Sequence, residues 1–166
     1  MRVETRLADP RVVKAIADGH VFTEQEEDRM RAEEGKAARM PGFESFTYAG
    51  GGRFDLVVSL TGELDANASA IGVPNTRTKS QADNFLSIRR MDDGTIEVST
   101  PEIPDRARAD LDQLGIVPNG TVAVTVSGTI IETNADETPG FFGRAYRWNS
   151  SSWDDRVFLK VDPTVD

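Results

Sequence analysis

Apolar and polar residues recur with a helical period near the N-terminus and alternate with a period of two from about residue 43 onward. Asp9 is a good N-cap, Pro10 suits the first helical position, and Gly19 favours a left-handed helix end, so a short helix is predicted here. The change of period predicts a helical arm over residues 1–41 and a β-domain over residues 42–166.

A second helix is predicted over Thr23–Met40, because Thr23 and Glu26 have the spacing of a capping box. Its apolar stripe is thin and consists of Met30, Ala37 and Met40. A helix with so little to bury is usually a solvated surface helix. The alternative interpretation is an arm that docks onto a neighbouring subunit, with Met30 and Met40 as contact residues.

Two hairpins are predicted in the first half of the β-domain. The runs Phe43–Ala49 and Arg53–Thr61 flank three glycines, and no Lys-Ser/Thr pair or helix follows to make a phosphate-binding loop. The runs Phe85–Met91 and Thr95–Thr100 are joined by Asp92-Asp93-Gly94. A three-residue turn there, with Gly94 left-handed, gives the best register, because it sets Ile88 opposite Val98 and Arg89 opposite Glu97. The two aspartates are then turn residues rather than a catalytic pair.

Three further elements complete the prediction. A short helix is expected over residues 104–114, ended by Gly115. Thr121–Thr133 is a strand long enough to serve two sheets if it bends at Gly128. A last hairpin is expected to join residues 141–148 to 153–161, with Trp148 opposite Trp153 as either a closing clasp or a recognition patch. Altogether the pattern predicts a mainly β fold, an antiparallel β-sandwich or small barrel of about seven strands, with the N-terminal helical arm and one short inserted helix.

Charge and composition restrict the chemistry. The 166-residue chain has a net charge of −9, and the acidic excess lies almost entirely in residues 41–166, which would repel a nucleic-acid backbone. There is no cysteine and only one histidine, His20, so thiolate and multi-histidine metal sites are excluded. His20 has no nucleophile motif beside it. Asn134 and Asp136 form only a fragment of a calcium loop, and a solvated loop is the simpler interpretation.

Residues 62–84 are poor in large apolar side chains and form a predicted loop of unusual length. Loops of this length in compact domains are usually functional or disordered. Arg77 and Lys79 are the candidate contact residues within it. No segment of the sequence is long and apolar enough to predict a membrane span, and the charged residues at its start do not predict an export signal.

The segment Arg144-Ala145-Tyr146-Arg147-Trp148-Asn149-Ser150-Ser151-Ser152-Trp153 resembles aromatic hairpins in structural proteins of tailed bacteriophages. A charged helical arm before an acidic, cysteine-free β-domain is also similar to small head-decoration, neck or tail proteins. The resemblance implies a non-enzymatic protein that binds copies of itself or other virion proteins and has no catalytic residues. The charge and the hydropathy of the chain add the expectation that it binds neither nucleic acid nor a membrane, and no cofactor or metal is expected. It also implies a location in the virion, or in the cytoplasm before assembly.

A second function class remains open at this stage. A β-sandwich or barrel could instead bind a small ligand, or act as a carboxylate-dependent hydrolase, through Asp, Glu and Arg side chains that converge in a pocket. The contact residues expected under the structural interpretation are Met30, Met40, Arg77, Lys79, Trp148 and Trp153.

Overall fold

The computed structural model describes residues 1–37, 39, 42–59, 86–140 and 144–164. The fold is mainly β, with two antiparallel sheets of five and four strands that do not close into a barrel. The predicted fold class is therefore confirmed, and of its two forms the barrel is excluded. In chain order the described elements are β1 (Arg2–Ala8), α1 (Pro10–Ala17), α2 (Glu24–Ala37), β2 (Phe43–Gly50), β3 (Arg53–Ser59), β4 (Ser87–Arg90), β5 (Ile96–Ser99), α3 (Asp105–Gln113), β6 (Gly120–Val124), β7 (Thr129–Thr133), β8 (Tyr146–Ser150) and β9 (Phe158–Asp162).

The strand order is β2-β3-β1-β6-β8 in the larger sheet and β4-β5-β9-β7 in the smaller one. Residue contacts divide the chain into two compact units. The first unit is Met1–Thr61 with Ile103–Thr121 and Ser150–Trp153, and the second is Gly62–Glu102 with Val122–Asn149 and Asp154–Asp166. The first unit runs through residues 41 and 42, where the sequence predicts the boundary between arm and β-domain; that domain division stays a prediction.

In the first unit, β3 pairs antiparallel with both β1 and β2. Leu56 and Val58 on β3 and Val3 on β1 are buried, as the alternation of apolar residues predicted for β3. Leu60, predicted to continue this face, lies outside the described residues. The glycine hairpin between β2 and β3 is confirmed, and Gly52 has a φ of +71° that a side chain rarely adopts.

Strand β1 was not predicted, and it precedes the two expected helices. Its residues alternate between exposed and inward-facing positions, with Val3 and Thr5 buried. The middle inward position is polar, so the apolar period is interrupted. The Thr5 hydroxyl is satisfied there because it donates to the carbonyl oxygen of Asn119 at 2.8 Å.

The predicted starts of α1 and α2 and the predicted ends of α1 and α3 are confirmed, whereas α2 is described only as far as Ala37, and Met40, its predicted last residue, lies outside the described residues. The Asp9 carboxylate accepts from the backbone N–H of Arg11 at 3.0 Å, and Gly19 follows α1 with a φ of +89°. Thr23 and Glu26 form the reciprocal capping box: the Thr23 N–H donates to Glu26 at 2.9 Å, and the Glu26 N–H donates to the Thr23 hydroxyl at 3.3 Å. Gly115, at a φ of +64°, follows α3 in a left-handed turn.

In the second unit, the register predicted for the hairpin of β4 and β5 is confirmed, with Ile88 opposite Val98 and Arg89 opposite Glu97. Gly94 has a φ of +83°, the left-handed conformation that the three-residue turn needs. Strand β9 lies between β5 and β7, and its Leu159 is fully buried.

The long strand predicted over Thr121–Thr133 bends and contributes to both sheets. Its first part is β6 in the larger sheet and its second part is β7 in the smaller sheet. Gly128 lies between them at a φ of +116°, so the predicted bend at this glycine is confirmed.

The predicted last hairpin is wrong. Strand β8, which carries Trp148, belongs to the larger sheet, whereas β9 belongs to the smaller one, so the two strands do not pair. Instead, β9 pairs with β5 and β7, both distant in sequence. The alternation of apolar and polar residues in two adjacent segments makes a hairpin plausible. It does not reveal that one of the two strands pairs with strands elsewhere in the chain. The predicted clasp of Trp148 on Trp153 is therefore withdrawn.

Candidate interaction surfaces

Met30 lies on α2 where this helix packs against β2, an edge strand of the larger sheet. The Tyr48 hydroxyl of β2 contacts the Met30 sulfur at 3.6 Å, and the Tyr48 backbone N–H donates to the Glu34 carboxylate at 2.6 Å. The helix thereby supplies an acceptor to a strand edge that would otherwise be open to another chain. Within the molecule, Met30 thus serves to hold α2 on its own sheet.

The environment of Tyr48 shows how closely α2 approaches. Burial raises the pKa of the Tyr48 hydroxyl, and a hydrogen bond with Glu27 on α2 raises it further. Tyr48 also belongs to a row of four half-buried rings on β2 and β3 that contact one another, Phe43, Phe46, Phe54 and Tyr48, in which the Phe46 and Phe54 rings stack at 4.9 Å between centroids. The sequence predicted the thin stripe of α2 but gave no sign that its acids would bind the edge of β2.

Trp153 and Trp148 have different environments. The Trp153 indole N–H donates to the Asp112 carboxylate of α3 at 2.7 Å, and the ring remains half-exposed. Trp148 is only 4% exposed, and its indole N–H donates to the Asn134 side-chain oxygen at 2.8 Å. Trp148 is thus placed in the core of the second unit, whereas Trp153 remains available at the surface.

The other predicted contact residues, Met40, Arg77 and Lys79, lie outside the described residues, as does the whole 62–84 loop. Their role as contact residues stays a prediction.

Asn134 and Asp136, the fragment of a calcium loop, have structural partners. The Asn134 oxygen accepts from Trp148 and from the Phe158 N–H at 2.9 Å, and its amide donates to the Arg156 carbonyl at 2.6 Å. Asp136 accepts from the Asn149 N–H at 2.6 Å. These bonds connect β7, β8 and β9, which the sequence could not reveal because the partners are 13 to 24 residues apart. Within the described ranges, no group of three or more His, Asp or Glu side chains could hold a metal ion.

The aspartates of the β4–β5 turn act as turn residues, as predicted. Asp93 accepts from the hydroxyl and the backbone N–H of Thr95, and it accepts from the Lys160 ammonium at 3.1 Å. These interactions, led by the Thr95 hydroxyl bond, lower the pKa of the Asp93 carboxyl to about 2.

A pH-dependent contribution to stability follows from Asp93. Its pKa is lower in the folded protein than the ordinary value of 3.8, so its stabilising effect is present above that value and is lost as the pH falls towards 2. The Asp93→Asn variant keeps the acceptor for Thr95 but cannot titrate. We therefore expect it to be less stable than the wild type at pH 6, with the difference shrinking between pH 4 and pH 2. Urea unfolding across this range measures the difference, and a gap that stays constant would contradict the assignment.

One charged row crosses the outer face of the smaller sheet. Arg89 on β4 is the Cα partner of Glu97 on β5, Glu97 is the partner of Lys160 on β9, and Lys160 is the partner of Glu132 on β7. The opposite face carries the buried Val98, Leu159 and Val161. The sequence predicted the first pair of this row only, because the other two positions depend on the sheet order.

No protein-family model, curated protein or solved structure matches this chain. Among the helices that the structure describes, none combines the length and the apolar character needed to cross a bilayer.

Proposed function

We propose that this protein is a non-enzymatic structural protein that acts through protein–protein contacts, as an accessory component of a virion head or tail. Its partners would be copies of itself or other virion proteins, and its location the virion, or the cytoplasm before assembly. Such a role requires no catalytic residue, cofactor or metal.

The observation that carries this proposal is the structural use of the polar side chains that offered chemistry. Asp93 holds a turn, Asn134 connects three strands, and Asp136 binds the backbone of β8. Side chains engaged in this way by the fold are poorly placed to bind a substrate or to transfer protons. This supports a protein whose outer surface, rather than a reactive centre, performs the function.

Surface features of the first unit fit the same proposal. Val21, in the connection between α1 and α2, is 85% exposed, and Val117, after α3, is 54% exposed. Trp153 offers a half-exposed aromatic ring of the kind enriched at interfaces. We propose these residues as contact points, together with the outer face of α2. Trp148 is dropped from the contact residues because it is buried.

Co-purification with particles tests the proposal. Virions from the source culture, treated with nuclease and banded in a density gradient, are expected to contain this chain at a fixed copy number per particle. The Trp153→Ala variant is expected to reduce that copy number, whereas Asn119→Ala, a change at an exposed position, serves as the matched control. A chain found only in the soluble fraction would overturn the virion assignment. A rise in melting temperature with added Mg²⁺ or Ca²⁺ would instead favour the carboxylate-dependent alternative.

A further inference from the structure

The charged row of the smaller sheet has a regular order of signs. From β4 to β7 the side chains are Arg89, Glu97, Lys160 and Glu132, that is, positive, negative, positive and negative. Arg89 and Glu132 at the two ends are exposed, and Glu97 and Lys160 in the middle are half-buried. Like charges are therefore never neighbours across this row, and all four side chains reach the same face.

This order is self-complementary for one particular symmetry. A two-fold axis that lies above the face, parallel to the strands and between β5 and β9, reverses the row and sets a second copy on top of it. Arg89 of one copy then faces Glu132 of the other, and Glu97 faces Lys160, so each of the four charges meets its opposite. A two-fold axis along the row would set every charge against itself, so only one face-to-face orientation is favoured.

We propose that this outer face of the four-stranded sheet is the contact surface for a second copy of the chain. The inference rests on the proposed function, since it names the face through which an assembling protein would meet its copy. Two sheets related by such an axis can pack face to face in the aligned arrangement that twisted sheets prefer.

Lys160 can take part although it already has a partner. Its ammonium group donates to Asp93 at 3.1 Å, and an ammonium has three N–H donors. Asp93 approaches from the turn at the end of the hairpin and holds the Lys160 side chain in one position, which reduces the entropy lost on binding Glu97 of the second copy.

The contact is expected to be weak in isolation. Strands about 4.8 Å apart make a four-strand face about 15 Å wide between its outer strands. Its strands have four or five residues and are about 15 Å long, so the face covers on the order of 200 Å², well below the roughly 800 Å² per partner of a stable complex. We therefore expect association that depends on concentration and salt, and that becomes strong only when repeated in an assembly.

Reciprocal charge reversal tests the proposal. In sedimentation velocity at low salt, the wild type is expected to associate as its concentration rises, and less so at high salt. Lys160→Glu and Glu97→Lys each place like charges in the contact, so each alone should need a concentration at least about tenfold higher. An equimolar mixture of the two variants should associate again, because one chain then carries acidic side chains at both positions and the other carries basic side chains at both. The double variant E97K/K160E should likewise associate with itself.

Controls separate this contact from changes in folding or net charge. Lys14→Glu changes the net charge by the same amount as Lys160→Glu but lies on α1, so it should associate as the wild type does. Circular dichroism confirms that each variant is folded, and the recovery in the mixture cannot arise from misfolded chains.

Each outcome decides between the two proposals. If the charge-reversal variants associate as strongly as the wild type, or if their equimolar mixture associates no better than either variant alone, the proposed contact face is wrong. The virion function is not affected by that result. A wild type that stays monomeric while Lys160→Glu abolishes incorporation into particles assigns the face to a different virion protein and overturns the second copy as its partner. Absence from particles, with reversals that act as expected, overturns the virion function alone.

Discussion

The Asn134→Ala variant is expected to lose about 3 kcal/mol of unfolding free energy, because it breaks three hydrogen bonds and leaves one buried donor without a partner. Asn134 accepts from the Trp148 indole N–H and the Phe158 backbone N–H, and it donates to the Arg156 carbonyl. The most costly loss is at Trp148, since its ring is only 4% exposed, whereas the bonds to Phe158 and Arg156 lie at exposed positions. Urea unfolding of the wild type and the variant measures the effect.

A double-mutant cycle assigns the loss to its cause. Trp148→Phe keeps an aromatic ring but removes the indole N–H, so Asn134→Ala should cost about 1–2 kcal/mol less in that background. Asn119→Ala is the matched control, because the contacts of Asn119 run through its backbone carbonyl and its side chain is exposed. We expect a change within about 0.5 kcal/mol for the control. Equal costs of Asn134→Ala in both backgrounds would show that the indole bond contributes nothing.

The features that could be predicted from the sequence are those decided by neighbouring residues. The capping box of Thr23 and Glu26, the left-handed Gly94 and the register of β4 on β5 are all settled within about a dozen residues. In such segments turn chemistry and alternation leave one good solution.

The features that could not be predicted depend on partners far away in the chain. Strand β1 was missed because Thr5, a polar residue, occupies an inward-facing position and interrupts the apolar alternation. Its hydroxyl is accommodated there by the carbonyl of Asn119, which is 114 residues away in the chain. The predicted hairpin of β8 and β9 had a plausible turn and plausible pairs, but β9 lies between β5 and β7, where its Leu159 is fully buried. The local sequence pattern therefore predicted where most strands lie, whereas the pairing of strands in the sheets depends on the burial of side chains from distant segments.

The same distinction applies to the candidate surfaces. Both tryptophans were reasonable contact residues from sequence, because an aromatic ring near a polar loop gives no sign of which side of the sheet it occupies. Sheet order buries Trp148, whereas Trp153 lies beyond the end of β8 and stays half-exposed, with its indole N–H bonded to Asp112 of α3. The charged row could not be predicted in full for the same reason. Lys160 and Glu132 lie beside Arg89 and Glu97 only because β9 pairs with both β5 and β7.

Gly128 forms the bend that the sequence predicts and packs against the distant strand β9, so its substitution is expected to cause one of the largest losses of unfolding free energy. A Cβ atom built there would lie 2.4 Å from the Asp162 carbonyl oxygen, and the φ of +116° is itself unfavourable for alanine. Because the crowding atom belongs to the backbone of β9, the strand must move, and we expect Gly128→Ala to cost about 3 kcal/mol or more.

Gly94→Ala separates the two causes of that loss. Gly94 has a similar left-handed φ of +83°, but a Cβ atom there would meet nothing within 4 Å. Backbone strain alone should therefore cost Gly94→Ala about 1–2 kcal/mol. The excess at Gly128 then measures how firmly the bend between β6 and β7 is held against β9. Thermal and urea unfolding of the two variants give this comparison directly. If both variants lose the same free energy, the chain at the bend can move away from β9, and close packing does not fix the passage from one sheet to the other.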